Sequence, residues 1–147
     1  MYVLRESNLV KNKIEDFLKS SGVTYYSENY IKSINIELTE IDFIFNLENS
    51  YVCISNKFIL PTPSSSIITK FIQNLKLIQQ ITSMQIYGVL LLREKISADN
   101  EYQLKTCGIN IIIIEDNDRN ILVTKFNQYM YSNGIYIKDV DGDIMMI

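Results

Sequence analysis

Two charged residues are best placed to take part in catalysis. Each lies at one terminus of an apolar segment, and the two segments are consecutive in the sequence. Asp42 lies at the start of 41-IDFIF-45, and Lys57 lies near the end of 51-YVCISNKF-58. Because side chains alternate along a strand, Ser55 and Lys57 share one face of the second segment. If the two segments pair as a hairpin, Asp42, Ser55 and Lys57 converge near one edge of the sheet. A carboxylate among apolar neighbours needs a partner to stay charged, and we expect Lys57 to be that partner.

The same three residues are one carboxylate short of a magnesium site. Mg²⁺ prefers octahedral oxygen coordination and usually takes one or two carboxylates from a protein. Ser55 offers only a neutral hydroxyl, so we expect Asp42 alone to bind the ion poorly. No Asp or Glu occurs from residue 53 to residue 93, and we expect Glu40, which is close to Asp42 in the sequence, to face away from it. An Asp–Lys pair with a purely structural role remains the alternative interpretation.

The chain contains no histidine, which removes several classes of catalytic and metal site. Ser-His-Asp and Cys-His nucleophiles, histidine-based nucleases and His-ligated zinc all need an imidazole. Any catalysis must therefore rest on carboxylates, lysines and hydroxyls. The two cysteines, Cys53 and Cys107, lie far apart without metal-ligand spacing, and we expect both to be reduced and buried.

Length and composition indicate one globular domain. The chain has 147 residues, of which 47% are hydrophobic and 21% charged, enough to bury a substantial core. The formal net charge of −3 argues against broad nonspecific binding to nucleic acid, although it is compatible with a local basic patch. The first residues lack the apolar run of a signal peptide, and no segment reaches the length of a membrane span. We expect a cytoplasmic protein.

Hydrophobic periodicity predicts alternating helices and strands over most of the chain. The predicted elements are helix 8–21, strands 30–38, 41–45 and 51–58, helix 66–83, strand 86–92, helix 98–107 and strand 109–114. The three consecutive strands are expected to form an antiparallel meander, and the later strand–helix–strand unit to have parallel strands. Gly22 and Gly108 are expected to end helices, and Ser97 to cap one. The predicted fold class is α/β, with a mixed central sheet flanked by helices in the order α-β-β-β-α-β-α-β.

Two interpretations are open for the C-terminal part. Leu122, Phe126 and Met130 have helical spacing, whereas Asn133-Gly134 is a strong hairpin turn. The tail 135–147 is predicted to be a hairpin. We therefore expect one domain over 1–147, with a core at about 8–115 and a C-terminal helix or hairpin extension at about 116–147.

The order of elements, with Asp42 opening one strand and Lys57 closing the next, resembles the restriction-endonuclease-like (PD-(D/E)XK) nuclease superfamily. The pattern is nearest to that of archaeal Holliday-junction resolvases. The resemblance implies that Asp42 would hold magnesium and that Lys57 would position or activate the attacking water. It also implies an acidic residue where Ser55 stands, so the motif is degenerate. Glu15 on the first helix loosely matches a helical glutamate of resolvase relatives and is the best remaining carboxylate donor.

Three functions follow from this resemblance and the composition. The favoured one is a catalytically degenerate nuclease-fold protein that acts as a nucleic-acid-binding or assembly module in DNA or RNA processing or defence, without a cofactor. The first alternative is an active Mg²⁺-dependent endonuclease that uses Asp42 and Lys57. The second alternative is a structural or dimerisation domain without nucleic-acid contact, with the apolar end 144-IMMI-147 adding a strand to a partner. The expected partners are therefore DNA or RNA, another protein, or a second copy of the chain in a homodimer.

The polar side of the long predicted helix is a further candidate surface. Lys70, Gln73, Lys76 and Gln80 lie outside the apolar stripe of this helix. The pattern favours a solvated face, with phosphate binding as the alternative. Tyr129, Tyr131 and Tyr136 could stack on bases, but packing is the favoured use of these tyrosines.

Overall fold

The protein has an α/β fold in which a five-stranded mixed sheet is flanked by helices. The structure, a computed structural model, describes residues 2–47, 49–59, 61–114, 124–128 and 131, with the backbone alone for residues 2–7. The elements are α1 (Tyr2–Ser20), β1 (Tyr25–Ser27), α2 (Glu28–Ile34), β2 (Phe43–Leu47), β3 (Ser50–Lys57), α3 (Ser65–Thr82), β4 (Gln85–Leu92), α4 (Ala98–Thr106) and β5 (Asn110–Ile113).

The sheet changes from antiparallel to parallel at β3. Its strand order is β1-β2-β3-β4-β5; β1, β2 and β3 form an antiparallel meander, while β3, β4 and β5 run parallel. The two parallel connections pass through α3 and α4, because parallel neighbours need a crossover segment. The predicted antiparallel pairing of the strands at 41–45 and 51–58 and the predicted parallel unit are confirmed, whereas the first strand of the meander lies at 25–27 and not at 30–38.

Two apolar clusters pack on opposite faces of the sheet. Along β3, Val52 and Ile54 belong to the cluster that contains α1, whereas Cys53 belongs to the cluster that contains α3 and α4. This assignment follows the alternation of side chains in a strand. The described residues 124–128 are helical, and Phe126 among them stacks on Phe17 of α1 with ring centroids 5.7 Å apart. The helical interpretation of this part of the chain is therefore confirmed for residues 124–128.

Polar caps and glycines define the helix ends, and among them Ser97 and Gly22 have the roles that the sequence predicts. Ser64 and Ser97 accept hydrogen bonds from backbone N–H groups in the first turns of α3 and α4. Gly22, just past α1, adopts the left-handed conformation with φ of +70° that favours glycine. Gly88 in β4 has another role: a Cβ there would lie 2.6 Å from Leu75 Cδ1, so the missing side chain lets α3 pack close to the sheet.

The prediction of a strand at 30–38 is wrong. Residues 28–34 form α2, and the first strand is the three-residue β1 that precedes it. The alternation of Ile34, Ile36 and Leu38 suggested a buried strand face, yet Ile34 and Ile36 are 62% and 79% exposed. An ion pair at helical spacing, Lys32 Nζ to Glu28 Oε1 at 2.7 Å, stabilises the helix instead.

The burial of Cys107 was also predicted wrongly. Cys53 is buried in β3, but Cys107 is exposed because it follows the last turn of α4 at the surface. Within the described residues, no helix has the length and apolar character that a membrane crossing needs. The predicted tail hairpin 135–147 lies outside the described residues, as do Leu122, Tyr129, Met130, Asn133-Gly134 and Tyr136.

Candidate functional site

The three residues of the degenerate motif lie at one edge of the sheet, namely the edge formed by the carboxyl ends of its parallel strands. Strand β3 ends at Lys57, which is in register with Leu92 at the end of β4, while the antiparallel β2 begins at the same edge just after Asp42. The first turns of α3 and α4 also lie together, since Ser65 Oγ donates to Asn100 Oδ1 at 3.1 Å. In open α/β sheets, ligands bind outside the carboxyl ends of the parallel strands, and this is that edge.

Asp42 caps the end of the β2–β3 ladder with its carboxylate. Its backbone N–H donates to Ile54 O at 2.9 Å, and its Oδ2 accepts from the Asn56 N–H at 2.6 Å. The carboxylate thus satisfies a backbone donor of β3 that lies beyond the first residue of β2, where the ladder has ended. Burial raises the pKa of Asp42 to about 6, against the lowering effect of the Asn56 hydrogen bond and of the Lys57 charge.

Lys57 is ion-paired with Glu40 and not with Asp42 as the sequence suggested. Lys57 Nζ lies 2.7 Å from Glu40 Oε1, and both side chains are largely buried. Thr39 Oγ1 donates to the other carboxylate oxygen at 2.8 Å. Burial acts to raise the pKa of Glu40, but the hydrogen bonds from Lys57 and Thr39 outweigh it and leave the pKa below its ordinary value. The ammonium group of the motif is therefore held by Glu40, a carboxylate that the sequence interpretation had expected to face away from Asp42.

Asn74 of α3 holds the segment that carries Glu40. Its Oδ1 accepts from the Glu40 N–H at 2.9 Å, and its Nδ2 donates to Glu37 O at 3.1 Å. The side chain is buried, so these bonds satisfy both ends of an amide that is removed from water. Asn74 therefore fixes the backbone on both sides of Thr39, and with it the direction of the Glu40 side chain.

Ser55 is fully buried, and its hydroxyl has no hydrogen-bond partner among the described residues. It lies on the same face of β3 as Cys53, within the layer covered by α3. A glutamate at this position would place a carboxylate in the packed interior, where an unpaired charge is costly. The site is thus shaped around a small neutral side chain.

Further charges surround this edge of the sheet. Glu28 at the start of α2 pairs with Lys32 and lies 3.9 Å from Lys11 of α1. The hydrogen bond from Lys32 lowers the pKa of Glu28, and the charges of Lys11 and Lys57 add to this effect. Glu15, the other predicted carboxylate donor, pairs with Lys19 one turn along α1 at 3.4 Å and has no described contact with Asp42.

These residues do not fit a magnesium ion. Asp42 Oδ2 is occupied by a backbone N–H, Ser55 is neutral, and Glu40 is neutralised by Lys57. Among the residues that the structure describes, no group of three Asp, Glu or Cys side chains lies close enough to hold a metal ion. A hard divalent cation takes several oxygen ligands, usually including ionised carboxylates, and the described site does not offer such a set.

A polar cleft adjoins the Glu40 segment on the outer side of α3. Its volume is about 560 Å³, and its lining includes Glu37, Lys70, Gln73, Asn74, Lys76 and Gln80. Lys70 and Lys76 are exposed, and within the described ranges neither has a carboxylate at ion-pair distance. The Lys70 charge also contributes to the lowered pKa of Glu40. The predicted exposed face of the long helix is thus one wall of a concave surface.

No protein-family model, curated protein or solved structure matches this chain. The site is therefore interpreted from its own geometry.

Glu40 and Asn74 are the two site residues that the sequence interpretation missed. Glu40 was expected to face away from Asp42, although residues two apart on a strand share a face. Because β2 begins only at Phe43, the direction of the Glu40 side chain is set by the segment before the strand. A signal for Asn74 was present: it lies at helical spacing from Phe71 and Ile78, inside the apolar stripe of α3. A polar residue in such a stripe indicates a buried hydrogen-bonding role.

The raised pKa of Asp42 predicts how its replacement changes stability with pH. The folded-state pKa of about 6 lies above the ordinary value of 3.8, so the stability linked to Asp42 is present below the ordinary value and is lost as the pH rises through the folded one. Asp42→Asn keeps an acceptor for the Asn56 N–H without the buried charge. Relative to the wild type, we expect this variant to gain about 2 kcal/mol of unfolding free energy between pH 4 and pH 7.

Urea unfolding across this pH range measures the difference, with Asp99→Asn, an exposed carboxyl on α4, as the matched control. A stability difference between Asp42→Asn and the wild type that does not change with pH would contradict a buried, reluctantly ionised Asp42.

Because the Ser55 hydroxyl has no partner among the described residues, we predict that removing it does not destabilise the protein. Ser55→Ala removes a buried donor without a partner, so we expect the unfolding free energy to stay constant or to rise by about 1 kcal/mol. Ser21→Ala is the matched control, because the buried Ser21 hydroxyl donates to Phe17 O at 2.8 Å and its loss should cost about 1 kcal/mol. Equal losses in the two variants, measured by denaturant unfolding, would mean that Ser55 is hydrogen-bonded.

The buried Lys57–Glu40 pair predicts strong coupling between its two residues. In a double-mutant cycle with Glu40→Gln and Lys57→Met, we expect a coupling energy of about 1–3 kcal/mol, because each single change leaves a buried group unpaired. The Glu101–Lys105 pair on α4 has the same 2.7 Å separation but is exposed. Its coupling should be about 0.5 kcal/mol or less. Similar coupling in both cycles, measured by urea unfolding, would show that the Lys57–Glu40 pair is not desolvated.

Proposed function

We propose that the protein is a nuclease-like domain that does not cleave and that acts by binding nucleic acid. The observation that carries this proposal is the ion pair between Lys57 and Glu40. A lysine that is neutralised and held by a buried carboxylate is poorly placed to position a water molecule for attack. The partner it would need, Asp42, is engaged by the Asn56 N–H and lacks a second carboxylate at Ser55.

The order of elements supports the likeness to the restriction-endonuclease-like superfamily. A helix, an antiparallel meander interrupted by the short α2, and parallel strands connected by α3 and α4 follow one another, and the Asp and Lys of the motif lie at one edge of the sheet. In this proposal the fold is kept and the catalytic carboxylate set is not. The proposal therefore includes no magnesium-dependent step.

Binding of nucleic acid is supported by the polar cleft on α3. Lys70 and Lys76 line it without carboxylate partners in the described part of the chain, so both ammonium groups are available to phosphate. Gln73 and Gln80 add amide donors and acceptors to the same surface. The overall negative charge of the chain restricts the basic surface to a local patch, which favours binding of a defined strand over coating of a long duplex.

The test combines a cleavage assay with a binding assay. Purified protein is incubated with single-stranded, duplex and branched DNA and with RNA in Mg²⁺ or Mn²⁺, beside Asp42→Ala and Lys57→Ala. We expect no cleavage that depends on these two residues, and a mobility shift that weakens as salt rises. Lys70→Ala combined with Lys76→Ala should lower the slope of log Kd against log salt by about 1.4 for a single strand, since each lost phosphate contact removes about 0.7.

Lys105→Ala, which removes an exposed lysine that is paired on α4, is the matched control and should leave the slope unchanged. Cleavage by the wild type that disappears in both Asp42→Ala and Lys57→Ala would favour the active endonuclease instead. Absence of a shift at low salt with every nucleic acid would favour the structural or dimerising alternative.

A further inference from the structure

An open apolar groove lies between α2 and the C-terminal half of α3. Its volume is about 190 Å³, and its lining is almost entirely apolar, including Tyr26, Tyr30, Ile34, Ile44, Tyr51 and Ile81. The groove exists because α3 covers the parallel part of the sheet, whereas only the seven-residue α2 lies over the antiparallel part on this face. A contiguous apolar surface beside a polar one is a candidate binding site.

One wall of the groove is a stack of two aromatic rings. The ring centroids of Tyr26 and Tyr30 are 4.9 Å apart, and the planes are inclined by 18°. Tyr26 is partly buried, while Tyr30 is 51% exposed, so the stack ends at solvent. Flat, uncharged π-systems extend such a stack favourably, whereas an aliphatic side chain makes only part of the contact.

The groove and the polar cleft share a wall. Along the segment 34–38, Ile34 and Leu38 line the groove, whereas Ile36 and Glu37 line the cleft. On α3 the two surfaces are again adjacent, because Gln80 lines the cleft and its neighbour Ile81 lines the groove. The groove with the tyrosine stack therefore borders the cleft that Lys70 and Lys76 line.

We infer that this groove binds an unpaired nucleobase of the strand whose phosphates contact Lys70 and Lys76. The inference rests on the proposed nucleic-acid binding. Aromatic stacking beside a basic surface is the combination that single-strand binders use, because every base has a π-face and every nucleotide a phosphate. A base inside a duplex has both faces covered by its neighbours, so only a single strand, a loop or a flipped base can offer a face to Tyr30.

The adjoining charge favours this occupant over a protein segment. An apolar side chain of a protein partner would fill the groove equally well. Lys70 and Lys76 would then make no ionic contact unless that partner also carried acidic residues there. A nucleic-acid strand satisfies both surfaces with one repeating unit. The matched ligands for a test are therefore two strands that differ only in their bases.

The test measures binding of a fluorescent single-stranded DNA of about ten nucleotides and of an abasic strand of the same length. The abasic strand keeps every phosphate and has no bases. We expect the wild type to bind the abasic strand about tenfold more weakly. Tyr30→Ala should weaken binding of the normal strand by a similar factor and leave binding of the abasic strand unchanged.

Two further variants separate stacking from other effects. Tyr30→Phe keeps the ring and should bind both strands like the wild type, while Tyr102→Ala, at an exposed tyrosine on α4, is the matched control. Tyr30→Ala should leave the slope of log Kd against log salt unchanged, since no phosphate contact is lost.

The possible outcomes distinguish the groove from the proposed function. If the normal and abasic strands bind the wild type equally while the lysine variants still weaken binding, the groove inference is overturned and the proposed function stands. If no strand binds at low salt, the proposed function is overturned together with the inference. If Tyr30→Ala changes the sedimentation of the protein alone and not its affinity for DNA, the groove is a contact between copies of the chain and the inference is overturned.

Discussion

The structure depends on the two different pairings of β3. This strand pairs antiparallel with β2 and parallel with β4, so a hairpin is enough on one side and crossover helices are required on the other. Both crossovers, α3 and α4, contribute to the apolar cluster on one face, while α1 and the helical residues around Phe126 contribute to the cluster on the other face. The register on both sides of β3 places Asp42, Ser55 and Lys57 at one edge, and the uneven helical cover leaves the tyrosine-lined groove open.

Several side chains at this edge are buried in surroundings that disfavour their charged or polar groups. Asp42 is buried with a raised pKa, Ser55 carries an unpartnered hydroxyl, and Lys57 and Glu40 form a largely buried pair. Apolar residues of similar size would fill the same space without these penalties. Buried polar groups of this kind concentrate at functional sites or at the remains of them. This concentration at the end of β3 distinguishes the edge from an ordinary hairpin.

The parts of the fold that could be predicted from the sequence are those with long, regular apolar patterns. The boundaries of β3, α3, β4 and α4 agree with the predictions to within one residue, because uninterrupted apolar runs and serine caps leave few alternatives. The prediction for segment 25–41 was wrong, because a three-residue strand and a seven-residue helix are too short for hydrophobic periodicity to identify the secondary structure. Their conformations depend on tertiary contacts, such as the burial of Ile31, that the local sequence does not encode.

The sequence predicted which motif residues lie together in the candidate site, but it did not predict which side chains pair with one another. Strand alternation brought Asp42, Ser55 and Lys57 to one edge, as the structure has them, but it could not identify the carboxylate that binds Lys57. That choice is made by the non-strand segment before β2, whose path is set by Asn74 from a distant helix. A hydrogen bond between residues 34 positions apart has no local periodic signature.

The shared wall between the cleft and the groove has a thermodynamic consequence. Segment 34–38 contributes residues to both surfaces, and Asn74 binds it to α3 through Glu37 O. Any molecule that displaces this wall from one side changes the shape offered on the other, so the two binding free energies are coupled. Such coupling is reciprocal by necessity. The two hydrogen bonds of the Asn74 amide limit this coupling free energy, because a segment that is held firmly moves less when a molecule binds on either side.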